Sequence, residues 1–300
     1  MIKLSNYAGR GDLGRMVFNS AGPLLASLTL AGSLHAGQLD PFDVIVADSQ
    51  ATIYSFNPRT RERTVIAEHG LLERPYDLAR NHAGNLVVSD TGTDRIVQVN
   101  PLTHQQTVLA EGPALGVPFG LDVDRHDRIY VANGRAIVRV DPASRSMRTV
   151  ATGGLLRAPL DVAVASDGTL FVADALAGVI HLNPATRKQT LLAHGGFLHT
   201  PTGITLDGDR TAYVVDAGGR CVVAVDTQTG NQTLLSANGF LTTPVGIALV
   251  PGGTMLVSDP DAFNLDGGIM LIELDGTQTP IFQGYGDLVN ARGIAVVPAL

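Results

Sequence analysis

The chain has 300 residues, including 34 glycines and 16 prolines, with 45% hydrophobic and 16% charged residues. That balance excludes intrinsic disorder and a coiled coil, and suits many short strands joined by tight turns around a large core. A formal charge of −7 disfavours nonspecific binding to nucleic acid or anionic lipid, and a lone cysteine, Cys221, excludes an internal disulfide or a multi-thiolate zinc site.

The first 36 residues differ from the rest. Lys3, Arg10 and Arg15 precede an uncharged stretch from Met16 to Leu34, densest in apolar residues at Leu24–Leu30, and small residues follow at Ala31-Gly32-Ser33 and Ala36. Basic region, apolar region and small-residue site is the order of an export signal. A cut after Ser33 leaves Ala-x-Ser, whereas a cut after Ala36 would place Leu34 three residues before it. A disordered or loosely docked extension, or a start codon misplaced upstream of Met16, is the alternative. Removing the leader takes the charge from −7 to −9. No other stretch approaches the roughly 20 apolar residues of a membrane span.

Beyond the leader a repeat dominates. A β-branched run ending in Asp or Asn recurs at Asp48, Asp90, Asn133, Asp174, Asp216 and Asp259, in steps of 42, 43, 41, 42 and 43. A second marker, the proline opening each unit, falls in phase at Pro75, Pro118, Pro159, Pro201 and Pro244. Each unit reads as four short strands. In the second these are Tyr76–Arg80, Leu86–Ser89, Arg95–Val99 and Gln105–Ala110, separated by Gly, Asn, Asp and Pro. No segment shows a helical apolar period over ten or more residues. Four strands in about 42 residues is the period of a β-propeller blade. The first unit, Phe42 to Leu72, begins at strand two, while Ala291–Val296 repeats strand one and then stops. The tail therefore supplies the strand that the first unit lacks. The expected fold is all-β: a six-bladed propeller over residues 37–300, closed by its C-terminal strand, with no exposed sheet edge left at the seam.

The composite unit is Pro-x-Gly/Asp-Ile/Leu-Ala/Thr, a glycine-centred turn, Leu/Tyr-Val-Ala/Ser-Asp, then Ile/Val-x-x-Val-Asn/Asp-Pro. It resembles the NHL repeat over residues 40–300. The repeat's Asp matches Asp48, Asp90, Asp174, Asp216 and Asp259, with Asn133 in blade three; of its usual Asn-Asn-Arg only Asp94-Arg95 and Gly219-Arg220 remain. WD40 repeats are excluded because the chain has no tryptophan. The blades are also similar to those of streptogramin lyases and the gluconolactonase/regucalcin group, without their catalytic motifs. Glu111-Gly112-Pro113 stands before strand one of blade three with no Trp after it, and no blade carries Trp-Phe-Thr-Glu. Resemblance to NHL-type amidating lyases would imply three channel histidines on zinc. Here His82, His104 and His126 fall on one face, His69, His194 and His199 on the other, and His181 lies within a strand, so solvated loop histidines are expected.

The strand-two Asp residues are expected to accept hydrogen bonds from the following turn. In the blade-linking motif Gly-Gly-Leu/Phe-Leu-x-x-Pro, the Leu or Phe is expected to pack between blades. Departures from the repeat carry more information. At the third position of strand one, blades one, three, five and six have Gly293, Gly120, Gly203 and Gly246, but blades two and four have Asp77 and Asp161. These carboxylates are candidates for acid/base work or for holding a cation or polar ligand; capping their own turn or pairing with Arg74 or Arg157 is the structural alternative. The preceding position adds Tyr76, Phe119, Thr202 and Arg292 as candidate ligand contacts. Blade six has an enlarged loop, Asp259 to Gly268, read as a flap over the channel mouth with Phe263 at its tip. Its Asp259, Asp261 and Asp266 are weaker candidates for calcium or another divalent metal, off the EF-hand spacing. No cofactor is predicted. The function expected is an exported module binding a small molecule, glycan or peptide on the loop face, without nucleic acid; a lyase or lactonase-type hydrolase with acids at the channel mouth is the alternative.

Overall fold

Strand two of every repeat is apolar on both sides of its pleat, and the fold accounts for this. The computed structural model describes residue 39, residues 43–283 and residues 290–297. Six four-stranded antiparallel sheets form, each with its strands in the order inner to outer. Blade one joins β24 (Ala291–Val296) to β1 (Val44–Asp48), β2 (Thr52–Phe56) and β3 (Arg63–Glu68). Blade two is β4 (Pro75–Arg80), β5 (Leu86–Asp90), β6 (Arg95–Val99) and β7 (Gln106–Glu111). The inner strands of the other blades are β8 (Pro118–Val123), β12 (Pro159–Val164), β16 (Pro201–Asp207) and β20 (Gly246–Leu249). Each inner strand touches the next, and β20 touches β24, so the ring closes. The closing pair runs Val44 against Val296 and Ile45 against Ala295. The proposed leader, residues 1–36, lies outside the described residues.

Because each sheet is sandwiched between two others, both its faces are buried. Val88 packs into a cluster with Ile45, Ile53 and Leu72 of blade one, while its neighbour Val87 packs with Leu121, Ile129 and Val140 of blade three. The same arrangement recurs between blades three and four, four and five, and five and six. Complete burial of one such Val or Leu contributes about 1.5–3 kcal/mol. The core is thus a succession of inter-blade layers that only a closed ring completes.

The blade-linking loops are held by a device absent from the expectations above. Gln106, Gln189, Gln232 and Gln278, each opening strand four of its blade, accept through Oε1 the backbone N–H of Leu71, Leu155, Phe197 and Phe240, at 2.7–2.9 Å. Three of these side chains also donate back to the same loop, to the carbonyls of His69, His194 and Asn238. The clasp explains the motif's glycines. Two successive residues take left-handed φ, as at Gly195 and Gly196 (both 60°), and a Cβ at Gly196 would lie 2.9 Å from the Gln232 oxygen. Sequence carries the signal as a recurring Gln-Thr at 106, 189, 232 and 278.

The motif's two apolar residues separate. The second, Leu72, Leu156, Leu198 or Leu241, is buried between blades as expected. The first faces outward in blades five and six, where Phe197 and Phe240 are each 40% exposed. At those two positions this corrects the expectation that the Leu or Phe packs between blades. The clasp holds the first residue's N–H in all four loops, yet Leu71 and Leu155 pack against the core and only the two phenylalanines reach the loop face.

Candidate functional site

The strand-two carboxylates do more than close their own turns. Asp90 Oδ1 accepts from the N–H groups of Gly92 and Thr93, and Oδ2 from those of Glu73 and Arg74 in the loop before strand one. Asp174, Asp216 and Asp259 repeat the pattern with Arg157 and Ala158, His199 and Thr200, and Thr242 and Thr243. Each is fully buried and joins two loops of one face. Backbone satisfaction accounts for these four Asp residues.

Inner strands of neighbouring blades lack a backbone ladder between them, and side chains supply the missing bonds. Asp77 Oδ2 accepts the Leu121 N–H of the next blade at 2.8 Å; Asp161 Oδ2 accepts that of Ile204, also at 2.8 Å. A third residue, Asp122, does the same two positions further along its strand, accepting from Val164 at 2.8 Å. The second oxygen of Asp122 and of Asp161 accepts its own strand's next N–H, from Val123 and Val162. So Asp77 and Asp161 neither cap a turn nor pair with Arg74 or Arg157; they latch blade two to three and blade four to five. Glycine on the other side makes room: a Cβ at Gly293 would meet Asp77 Oδ1 at 2.3 Å, and one at Gly120 would meet Asp161 Oδ1 at 2.1 Å. Thr202 serves the next interface, its hydroxyl 2.7 Å from the Pro244 carbonyl, and Ser258 donates to the Arg292 carbonyl at the last.

Asp122 escapes a comparison confined to positions two and three of strand one. Position five reads Ala295, Ala79, Asp122, Ala163, Thr205 and Ala248, so the same comparison finds it. These small residues and the three carboxylates wall a central cavity of about 320 Å³. Burial pushes Asp77 up to about 7 and Asp122 to about 6, against the backbone N–H bonds that favour the ionised form. Asp161 is raised well above the usual carboxylate range, by burial first and by the Asp77 charge second. All three side chains are nonetheless partly open to the channel, so water there moderates the effect.

At the loop-face end of the channel, Tyr76 lines the cavity. Phe119 meets its ring edge-on at 5.2 Å and the Arg292 guanidinium lies 6.0 Å from the ring centre. Burial raises the Tyr76 hydroxyl, with Arg292 drawing it back. Phe119 and Arg292 stand against Tyr76 rather than on the cavity wall.

Blade six departs from expectation. Ala262–Leu265 forms one turn in which Phe263, Asn264 and Leu265 all have left-handed φ of 55°, 64° and 74°. Phe263 packs beside Phe240, ring centres 5.2 Å apart, and over Gly268, where a Cβ would lie 2.3 Å from its ring. It is therefore pinned at the rim between blades five and six and does not cover the channel. Asp259 is occupied by backbone N–H groups, including that of Asp261, and Asp261 and Asp266 do not join it as ligands. Among the described residues no three His, Cys, Asp or Glu side chains converge as a metal site. Four histidines have local side-chain contacts: His82 pairs with Asp127 at 2.9 Å, His104 with the Ile66 carbonyl at 2.6 Å, His199 lies 3.1 Å from the Phe197 carbonyl, and His181 stacks on Phe171. Among the described residues, no helix is long and apolar enough to cross a membrane.

No protein-family model and no curated protein matches the chain. Solved structures do. A chain from the nidogen/laminin complex aligns with 85% of this chain and 98% of its own, with a TM-score of 0.73 and 15% identity. Virginiamycin B lyase from Staphylococcus aureus aligns with 80% of this chain and 83% of its own, at a TM-score of 0.60 and 14% identity. A catalytically inactive form of that lyase with quinupristin aligns with 88% and 94%, at 0.64 and 14%. At such identities the likeness is one of fold: this chain is a six-bladed β-propeller.

Proposed function

We propose that the chain is an NHL-like propeller acting as a non-catalytic binding module, with its partner held on the face of the blade-linking loops. The observation that carries this reading is the outward exposure of Phe197 and Phe240 on loops whose backbone is clasped by Gln232 and Gln278. Large apolar side chains held rigidly at a surface lose little entropy when a partner covers them. A propeller chain in the nidogen/laminin complex is consistent with such a role.

The lyase or hydrolase reading rests on Asp77, whose value near 7 suits a general base. Its carboxylate is committed to the Leu121 N–H, and the neighbouring Asp161 is another latch, so binding is the stronger reading. Export of residues 37–300 after loss of the leader belongs to the same proposal, and N-terminal sequencing of the protein from its native source tests it.

An array of small molecules, oligosaccharides and peptides, probed with labelled protein, tests the function. Binding of any hit is expected to weaken in Phe197→Ser and Phe240→Ser and to survive in Asp77→Asn and Asp161→Asn. Turnover of a hit, or binding lost only in the Asp variants, replaces this reading with the enzymatic one.

A further inference from the structure

Charge is unevenly spread over the loop face. Along the blade-linking and strand two–three loops from Gly134 to Pro260, three arginines are exposed: Arg135, Arg157 and Arg220. No carboxylate is exposed on those loops. Their only acids, Asp174, Asp216 and Asp259, are fully buried and occupied by backbone N–H groups. The chain has no Glu between Glu111 and Glu273, although its formal charge is −7. The rest of this face is mixed, exposing Glu68, Glu73, Asp94, Glu111 and Asp266 along with Arg74, with Arg95 paired to Glu111 at 2.9 Å. Among the described residues none of the three arginines is in an ion pair.

Apolar side chains are interleaved with these cations. Leu176, 70% exposed, and Phe197 and Phe240, each 40% exposed, stand on the same loops. Hydrogen bonds show the loops to be neighbours: the Arg135 carbonyl accepts from Gly153, that of Ala158 from Ala175, that of Thr200 from Ala217, and that of Arg220 from Asn238. Gly178, ending the blade-four loop, lies against His194 of the next link. The loops from blade three to the link before blade six therefore form one arc with apolar anchors between unpaired guanidinium groups, and Asp266 of blade six stands at its end beside Phe240.

We infer that this arc docks an acidic peptide segment carrying apolar anchor residues. The inference rests on the loop-face reading above and adds the partner's chemistry. Arginine's fixed fork pairs bidentately with carboxylates, and aromatic anchors concentrate binding energy once water is excluded. On a protein of net negative charge, an acidic partner is repelled elsewhere and directed here. An anionic membrane is the poorer match, because lipid surfaces select clusters of about four to eight Lys and Arg, and this arc has three arginines and no lysine.

Fluorescence anisotropy with the full chain tests the inference, using an Asp/Glu-rich peptide with spaced Leu and Phe residues. Its controls are the same peptide with Asn and Gln at the acidic positions, and phosphatidylserine vesicles. The acidic peptide is expected to bind at least about tenfold tighter than its amide counterpart at low salt, with the advantage shrinking as salt rises. Arg157→Glu combined with Arg220→Glu removes that advantage, whereas Phe240→Ser weakens both peptides. Equal binding of the two peptides, an acidic-peptide affinity untouched by the Arg changes, or vesicle binding through these arginines without peptide binding overturns the inference. If the peptides fail while an array ligand still depends on Phe197 and Phe240, only the acidic-peptide assignment falls. If that ligand depends on Asp77 or Asp161 instead, the loop-face reading falls with it.

Discussion

Replacing Asp77 by Asn is expected to alter how stability depends on pH, in a direction opposite to the usual effect of a salt-bridged carboxylate. An unfolded Asp titrates near 3.8, whereas burial in the channel raises Asp77 to about 7 and Asp122 to about 6. Below the unfolded value both states are protonated and the stabilisation is fully present. As pH rises from about 4 to about 7 the unfolded chain releases protons that the native state retains, so stability falls. A shift from 3.8 to about 7 corresponds to at most about 4 kcal/mol, and one to about 6 to about 3 kcal/mol. Partial access to channel water makes about half of each the reasonable expectation. Asp127, Asp167, Asp209, Asp226 and Asp275 are shifted downward by their hydrogen bonds and lose their contribution only as pH falls below the ordinary carboxylate range. Stability should therefore peak at mildly acidic pH. Urea unfolding of wild type, Asp77→Asn and Asp122→Asn across this range measures the slope. Asp77→Asn should flatten it most and, by removing a like charge, lower the pH at which Asp161 titrates. A wild-type stability that rises from pH 4 to 7, or a slope unchanged in both variants, would refute the reasoning.

Other consequences follow from the clasp, the seam and the thiol. Gly196→Ala forces a Cβ against Gln232 at a left-handed position and should cost about 1–3 kcal/mol, while Gln232→Ala, which strands the Phe197 N–H near solvent, should cost about 1 kcal/mol. Equal, negligible effects in thermal melts would show that the clasp contributes nothing. Deleting residues 291–300 removes the inner strand of blade one and uncovers the edge of β1; the product should lose its cooperative melt and aggregate, and a soluble, cooperatively folding truncation would contradict ring closure. Cys221 is 2% exposed, and burial raises its thiol to about 11, so a disulfide reagent should label it only after unfolding. Stoichiometric labelling of the native protein at mildly alkaline pH would contradict that placement.

Blade number, strand order and the closing tail are legible in the sequence alone, because two markers recur in phase and because the tail matches the strand that the first blade lacks. The site was legible only in part. Asp77 and Asp161 stood out as departures from the repeat, and Asp122 was visible by the same test at position five. Their purpose was not, since a carboxylate beside a channel and one latching two strands look identical along the chain. Tertiary structure decided between them by bringing the Leu121, Val164 and Ile204 N–H groups, 42 to 44 residues away, to within 2.8 Å. It likewise turned Phe197 and Phe240 outward and fixed Phe263 at a rim instead of over the channel. Local pattern specifies strands because short apolar, β-branched runs bounded by Gly, Pro, Asn and Asp turns are buried on both faces. Which groups face each other across blades depends on ring closure, which no single repeat contains.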